Sequence, residues 1–173
     1  MQNGGNRDGP IGLLAIQALK IGGAGRIIVS QSPGPRRELA LQFGADAAVN
    51  PRDPDNPVGD EVKAITDGGA DVIIECAGVP ASFQQCIDMA RTGGQVILVG
   101  VNEKETPVLP MGLMLGEIQL KGSLAWSHHD FQIAVDMLAA GKIAPQAEPT
   151  PISEGKIIGH KPDLAIYVMD IGE

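Results

Sequence analysis

Short runs of branched aliphatic residues alternate along this chain with amphipathic segments, and glycine closes many of them. "RIIVS" (26–30), "ADVIIECAG" (70–78) and "GQVILVGV" (94–101) read as strands apolar enough for burial on both faces of a parallel sheet. "AAVN" (47–50) is a weaker strand, and Ile118–Lys121 is a further one. "GPIGLLAIQALKIGG" reads as a helix, with Pro10 in its first turn and Gly22 and Gly23 at its end. Further helices are expected from Arg36 to Phe43, in "PVGDEVKAITDGG" ending near Thr66, in "PASFQQCIDMARTGG" and in "FQIAVDMLAAGKI". Ser82 with Gln85, and Ser127 with Asp130, have the spacing of a capping box. Strand and helix recurring at intervals of about 20–30 residues predict βαβ units and an α/β fold.

Composition narrows the class. Hydrophobic residues make up 43% of the 173 residues and aromatics only 3%, so the core must be built from Ile, Val, Leu and Ala. A formal net charge of −8, with no run of Lys or Arg, argues against a nucleic-acid partner. No apolar stretch approaches the roughly 18–20 residues of a membrane span, and the start has no signal-peptide pattern. Two cysteines, Cys76 and Cys86, offer neither a disulfide framework nor metal-ligand spacing, which makes a reducing cytoplasm the expected location.

The chemistry is concentrated at the first helix. A glycine turn lets backbone approach a pyrophosphate, and the helix behind it presents free N–H groups and a positive dipole end. In the pattern G-x-G-x-x-G, Gly9 and Gly12 fill the second and third places while Arg7 stands at the first. Gln31 follows the next strand, where such sites usually place an acid for the ribose hydroxyls. The spacing fits and the charge does not. The strand expected before the turn is missing from "MQNGGNRD", so a Rossmann-like doubly wound sheet would lack its first, central strand. Its neighbours would then need other partners for their backbone groups.

"GPIGLLAIQALK", "LALQFGADAAVN", "DVIIECAGVP", "GGQVILVGV" and "LKGSLAW" together resemble the medium-chain zinc-dependent alcohol and polyol dehydrogenases, of the sorbitol or butanediol dehydrogenase type. The resemblance covers about residues 9–143 and corresponds only to the cofactor-binding domain. It implies NAD or NADP as cofactor, with Gly9, Pro10, Ile11 and Gly12 facing the pyrophosphate and nearby ribose. Gln31 takes the place of the acid at the adenosine ribose, and Arg36 lies toward the adenine. Cys76, Ala77 and Gly78 line the cleft. Val99, Gly100 and Val101, with Leu124 and Ala125, approach the nicotinamide end. Gln31, unlike an Asp, does not repel the 2′-phosphate of NADP, and Arg36 and Arg37 could bind it. Gln can also hydrogen-bond plain ribose, so the preference between the two cofactors stays open.

The resemblance further implies a parent enzyme that moves hydride between a secondary alcohol or polyol and the nicotinamide, with zinc polarising the alcohol oxygen. No zinc ligands are expected within this chain: His128, His129 and His160 have no metal spacing with the cysteines. Glu75, at a strand end, reads either as a buried acid or, in preference, as a polar residue near the cleft mouth satisfied by backbone groups, and Ser123 as a turn residue. No catalytic residue is assigned, and the chain by itself is expected to be inactive. Residues 1–8 fall outside the family pattern. Residues 144–173 form a divergent tail, mostly loop over 144–161, with a terminal strand in the apolar run Leu164–Met169. Two rivals stand beside this reading. One is a non-catalytic homologue that associates through residues 107–121, which are apolar enough to need cover or to be core. The other is a methyltransferase-like fold, against which Gln31 counts because that fold also expects an acid there.

Overall fold

The computed structural model describes residues 10–145 and 166–170. Helix α1 (Pro10–Ile21) begins at the proline and leads through a glycine turn into β1 (Arg26–Ser30). Gly23 N–H donates to Lys20 O at 3.2 Å and Ala24 N–H to Leu19 O at 3.0 Å, closing the helix with the paired bonds of a Schellman motif. The left-handed backbone this requires falls on Gly23, at φ 82°. There follow α2 (Pro35–Gln42), β2 (Ala47–Val49), α3 (Val58–Thr66), β3 (Ala70–Glu75), α4 (Pro80–Met89) and β4 (Ala90–Leu98). Then come α5 (Pro110–Leu115), β5 (Gln119–Gly122), α6 (His128–Ala139) and β6 (Ile166–Asp170).

The strands form one sheet in the order β2-β1-β6-β3-β4-β5. β1 with β2, β3 with β4 and β4 with β5 are parallel, as the βαβ pattern predicts. β6 is antiparallel to both its neighbours, β1 and β3. It takes the central position of the sheet, between β1 and β3. The backbone groups of β1 and β3 therefore do have another partner. It comes from the apolar run near the end of the chain.

Period-two alternation divides the core between the two faces of the sheet. Ile28, Val49, Ile73 and Val96 pack with Val58, Val62, Cys86 and Met89 under α3 and α4. Ile27 and Val29 point the other way, to Leu13 and Ile16 of α1 and Ala40 of α2. Two expectations are corrected. β4 begins at Ala90 rather than at Gly94, because Ala90 already pairs with Ala70 across a register shift. Ser82 does not cap α4: the helix starts at Pro80, its N-cap Val79 has no side-chain cap bond, and Gln85 donates instead to Pro51 O at 2.9 Å. The second capping box does form, with Ser127 and Asp130 bonded reciprocally at the start of α6.

Candidate functional site

Parallel pairing brings the carboxyl ends of the strands to one edge. Ser30 is in register with Ile166, Ile166 with Glu75, Glu75 with Leu98, and Leu98 with Gly122. Just beyond this row stand Gln31, Cys76, Val99 and Ser123, each the next residue in its chain. Helix α1 belongs to the same edge. Its C-terminal end is joined by four residues to the start of β1, and its 12 residues span about 18 Å back along the sheet. Its first turn, with Ile11 exposed and Gly12 buried, contains no acidic residue. Gly9 lies outside the described residues.

Glu75 organises the centre of this edge. The side chain is 2% exposed. Its Oε1 accepts the Ala77 and Gly78 N–H groups, each at 2.8 Å, and the Ser82 hydroxyl at 2.6 Å. Its backbone carbonyl accepts the N–H groups of Val99 (2.9 Å) and Gly100 (2.8 Å). A single residue thus ties the loop after β3 to the loop after β4; Glu75 is the buried acid of the two readings, satisfied by backbone N–H groups and one hydroxyl. Ser82, misread as a cap, has this carboxylate as its partner instead. The two loops touch so closely that glycine is required in both. Gly78 has φ +64°, and a Cβ there would run into the Val101 carbonyl. A Cβ on Gly100 would fall on the Gly78 nitrogen, 2.7 Å from Glu75 Oε2 and 2.9 Å from the Cys76 carbonyl carbon.

The remaining residues singled out in the sequence take different environments. Gln31 is nearly buried and its N–H donates to Val49 O at 2.9 Å. Arg36 is half-buried in the first turn of α2, while the Arg37 guanidinium donates to Ala48 O. Ala77 is buried. Val101 and Leu124 are 72% and 91% exposed, and Ala125 has a left-handed backbone at φ 59°. Ser30 Oγ, fully buried at the end of β1, has no hydrogen-bond partner among the described residues. Ser123, expected in a turn, instead directly follows β5 and extends its pairing with β4, its N–H donating to Leu98 O at 2.9 Å.

Neither thiol is poised for chemistry. Burial, and then the neighbouring Glu75 carboxylate, push Cys76 up to about 12 and raise Cys86 well above its ordinary value. Both stay protonated near neutrality. Among the described residues no three His, Cys, Asp or Glu side chains gather closely enough to hold a metal ion. His128 and His129 are exposed at the start of α6, and His160 lies outside the described residues. Zinc therefore does not fit the donors described here. Nor is any helix among the described residues long and apolar enough to cross a membrane.

One buried polar residue was not foreseen. Gln17, 8% exposed on α1, accepts the Ala144 N–H at 2.8 Å and donates to the Ala144 carbonyl at 3.1 Å. It fastens the chain beyond α6 to the first helix. A lone amide beside Leu13 and Ile16 on the apolar face of α1 is the available signal. Segment 107–121 is mostly outside the core: Leu109, Met111, Met114 and Leu115 are each more than half exposed and all of β5 is exposed, while Ile118 packs against the core cluster under α3 and α4.

The chain matches the family model for zinc-binding dehydrogenases over residues 10–140. It is 36% identical over 135 residues to sorbitol dehydrogenase of Bacillus subtilis (strain 168), a match that covers 77% of this chain and 37% of that protein. A structure described as a zinc-binding dehydrogenase from Sinorhizobium meliloti 1021, bound to NADP, superimposes with TM-score 0.68 and 34% identity over 79% of this chain and 41% of that one. A short chain alcohol dehydrogenase from E. coli CFT073, complexed with NADH, gives TM-score 0.69 and 28% identity over 80% and 40%. The chain thus spans about two fifths of the length of the proteins it matches.

Proposed function

Because the chain belongs to the zinc-binding dehydrogenase family, we propose that residues 9–143 form the dinucleotide-binding domain of an enzyme that moves hydride between a secondary alcohol or polyol and NAD or NADP. The observation that carries this is the single edge holding the α1 N-terminus, Gln31, the 76–78 and 99–101 loops and the end of β5. Open α/β sheets bind ligands outside the carboxyl ends of their strands, beside the helix that follows the first turn. The free N–H groups of α1 and its positive dipole end suit a pyrophosphate, and no first-turn carboxylate opposes it. Gln31 hydrogen-bonds the adenosine ribose, and Arg36 borders the adenine side. The paired loops 76–78 and 99–101 present backbone at close range because glycines stand where they touch. Leu124 and Ala125 border the nicotinamide, whose C4 accepts or releases hydride when the cofactor is bound.

The described residues hold no donor set for zinc, so the groups that bind and deprotonate the alcohol belong to a catalytic domain outside residues 9–143. The domain's own work is to bind and orient the cofactor. In a reducing cytoplasm, where we place it, Cys76 and Cys86 remain thiols. Thermal unfolding with NADH and with NADPH tests the proposal. A ligand present at 100 times its dissociation constant stabilises the native state by about 2.7 kcal/mol. For a chain of this size that raises the midpoint by roughly 5–11 °C. A cooperative transition moved by neither cofactor overturns it.

The exposed edge strand β5 and the exposed apolar residues of α5 favour a second reading, a homo-oligomerising module joined through 107–121. A dimer without cofactor affinity would support that reading instead.

A further inference from the structure

Two pairs of successive N–H groups close on oxygens of Glu75. Those of Ala77 and Gly78 donate to Oε1, each at 2.8 Å, and those of Val99 and Gly100 to the backbone carbonyl, at 2.9 and 2.8 Å. Successive N–H groups of this kind form a concavity that suits an anion. The 77–78 pair is filled from within the protein, by a carboxylate that the Ser82 hydroxyl also holds at 2.6 Å. Among the described residues no Lys or Arg pairs with that carboxylate. Directed bonds alone keep it in place, and such bonds to an ionised group are roughly twice as strong as those to a neutral one.

Stability is a weak reason for this arrangement. Taking a carboxylate out of water is costly, and a well-packed apolar side chain often serves a fold as well. An apolar side chain cannot, however, fix where peptide groups point. Glu75 holds Gly78 at φ +64° and brings the 76–78 and 99–101 loops so close that neither Gly78 nor Gly100 has room for a Cβ. Gln31 ends β1, whereas these loops follow β3 and β4, two and three places along the sheet. At the usual spacing of strands that is about 10 and 14 Å away. A ligand confined to Gln31, Arg36 and the start of α1 is remote from the loop after β4, and one that extends to the end of β5 is not.

We propose that Glu75 is a positioning residue for the nicotinamide half of the dinucleotide, acting through the 76–78 and 99–101 loops, with Ser82 holding its carboxylate. This rests on the nucleotide-binding reading above. By filling the 77–78 N–H pair, the carboxylate also keeps ligand phosphates to the N-terminus of α1.

The test compares the full chain with its Glu75→Gln and Ser82→Ala variants. Each is titrated calorimetrically with NADH and with ADP, at a temperature where circular dichroism shows it folded. Glu75→Gln keeps the shape of the side chain and one acceptor oxygen but removes the charge. It should weaken NADH about tenfold and leave ADP within about twofold of wild type. Ser82→Ala removes one of the three bonds to Oε1 and should weaken NADH about threefold, with ADP again little changed. A merely structural Glu75 would lower the melting midpoint and leave the ratio of NADH to ADP affinity where it was. An unchanged ratio in both variants overturns the proposal. If Glu75→Gln does not fold, Ser82→Ala decides alone, on the same ratio. A wild-type chain that melts cooperatively and binds neither ligand overturns the nucleotide-binding reading and this proposal with it. Wild-type binding with an unchanged ratio in the variants overturns this proposal alone.

Discussion

Gly100→Ala isolates the contact on which the shape of the edge depends. The added Cβ would meet the Gly78 nitrogen, Glu75 Oε2 at 2.7 Å and the Cys76 carbonyl carbon at 2.9 Å. None of these is the loose end of a flexible side chain. The 77–78 backbone is held by two bonds to Glu75 Oε1, and the carboxylate is anchored in turn by Ser82. Overpacking a rigid site costs about 1–3 kcal/mol. The upper end applies because the neighbours are pinned, and losing one bond to the carboxylate adds about 1 kcal/mol or more. A total near 3–4 kcal/mol lowers the unfolding midpoint by on the order of 10 °C for a chain of this length. Differential scanning calorimetry reads this directly, with Gly112→Ala as the internal comparison. Nothing lies within 4 Å of a Cβ on Gly112, which sits in helix α5, so that substitution should leave the midpoint unchanged or slightly higher. If Gly100→Ala melts within about 2 °C of wild type, the two loops are not the rigid unit described here.

Three further outcomes are expected. Gln31→Asp places a negative charge where a 2′-phosphate would lie, so the ratio of NADPH to NADH dissociation constants, measured by calorimetric titration, should rise about tenfold or more, equivalent to about 1.4 kcal/mol; an unchanged ratio would place the ribose elsewhere. Cys76 and Cys86 hold their protons in the folded chain after the unfolded chain has lost them, so their stabilising effect is complete below about pH 9 and falls away as pH rises, that of Cys76 being lost as pH climbs toward 12. Urea melts should show stability falling at up to about 1.4 kcal/mol per pH unit for each thiol, and Cys76→Ala should make that fall shallower. Gln17→Leu should cost only about 1 kcal/mol in global stability, because Ala144 is exposed to water. It should still speed amide hydrogen exchange at Ala144 markedly, and unchanged exchange would deny the tie between α1 and the chain beyond α6.

What the sequence disclosed and what it concealed divide along the range of the interactions involved. The helix of Pro10–Ile21, the strand of Arg26–Ser30 and the capping box of Ser127 with Asp130 are local events, written in residues at most a few positions apart. The row of strand ends also follows from the pattern, since alternating strand and helix permit little besides a parallel sheet. Ser82 was misjudged because spacing alone cannot tell a cap from a hydroxyl two residues inside the helix. Its partner, Glu75, lies on the preceding strand. The start of β4 is hidden because Ala90–Gly93 read as the end of the preceding helix, although pairing has already begun at Ala90. The run Leu164–Met169 announced a strand, but its place depends on the pairing capacity of β1 and β3, well over a hundred residues earlier for β1. Nothing within the run specifies a central antiparallel position. Gln17 was legible only as an anomaly, since its partner is Ala144.

Trp126, the only tryptophan of the chain, offers the most direct test of nucleotide binding at this edge. It adjoins Ala125, just beyond the end of β5, and is 71% exposed. Reduced nicotinamide absorbs where tryptophan emits. NADH bound along the edge should quench Trp126 emission in a saturable way, produce sensitised nicotinamide fluorescence, and be displaced by oxidised cofactor. A chain that melts cooperatively yet shows no saturable transfer at millimolar NADH would contradict the account.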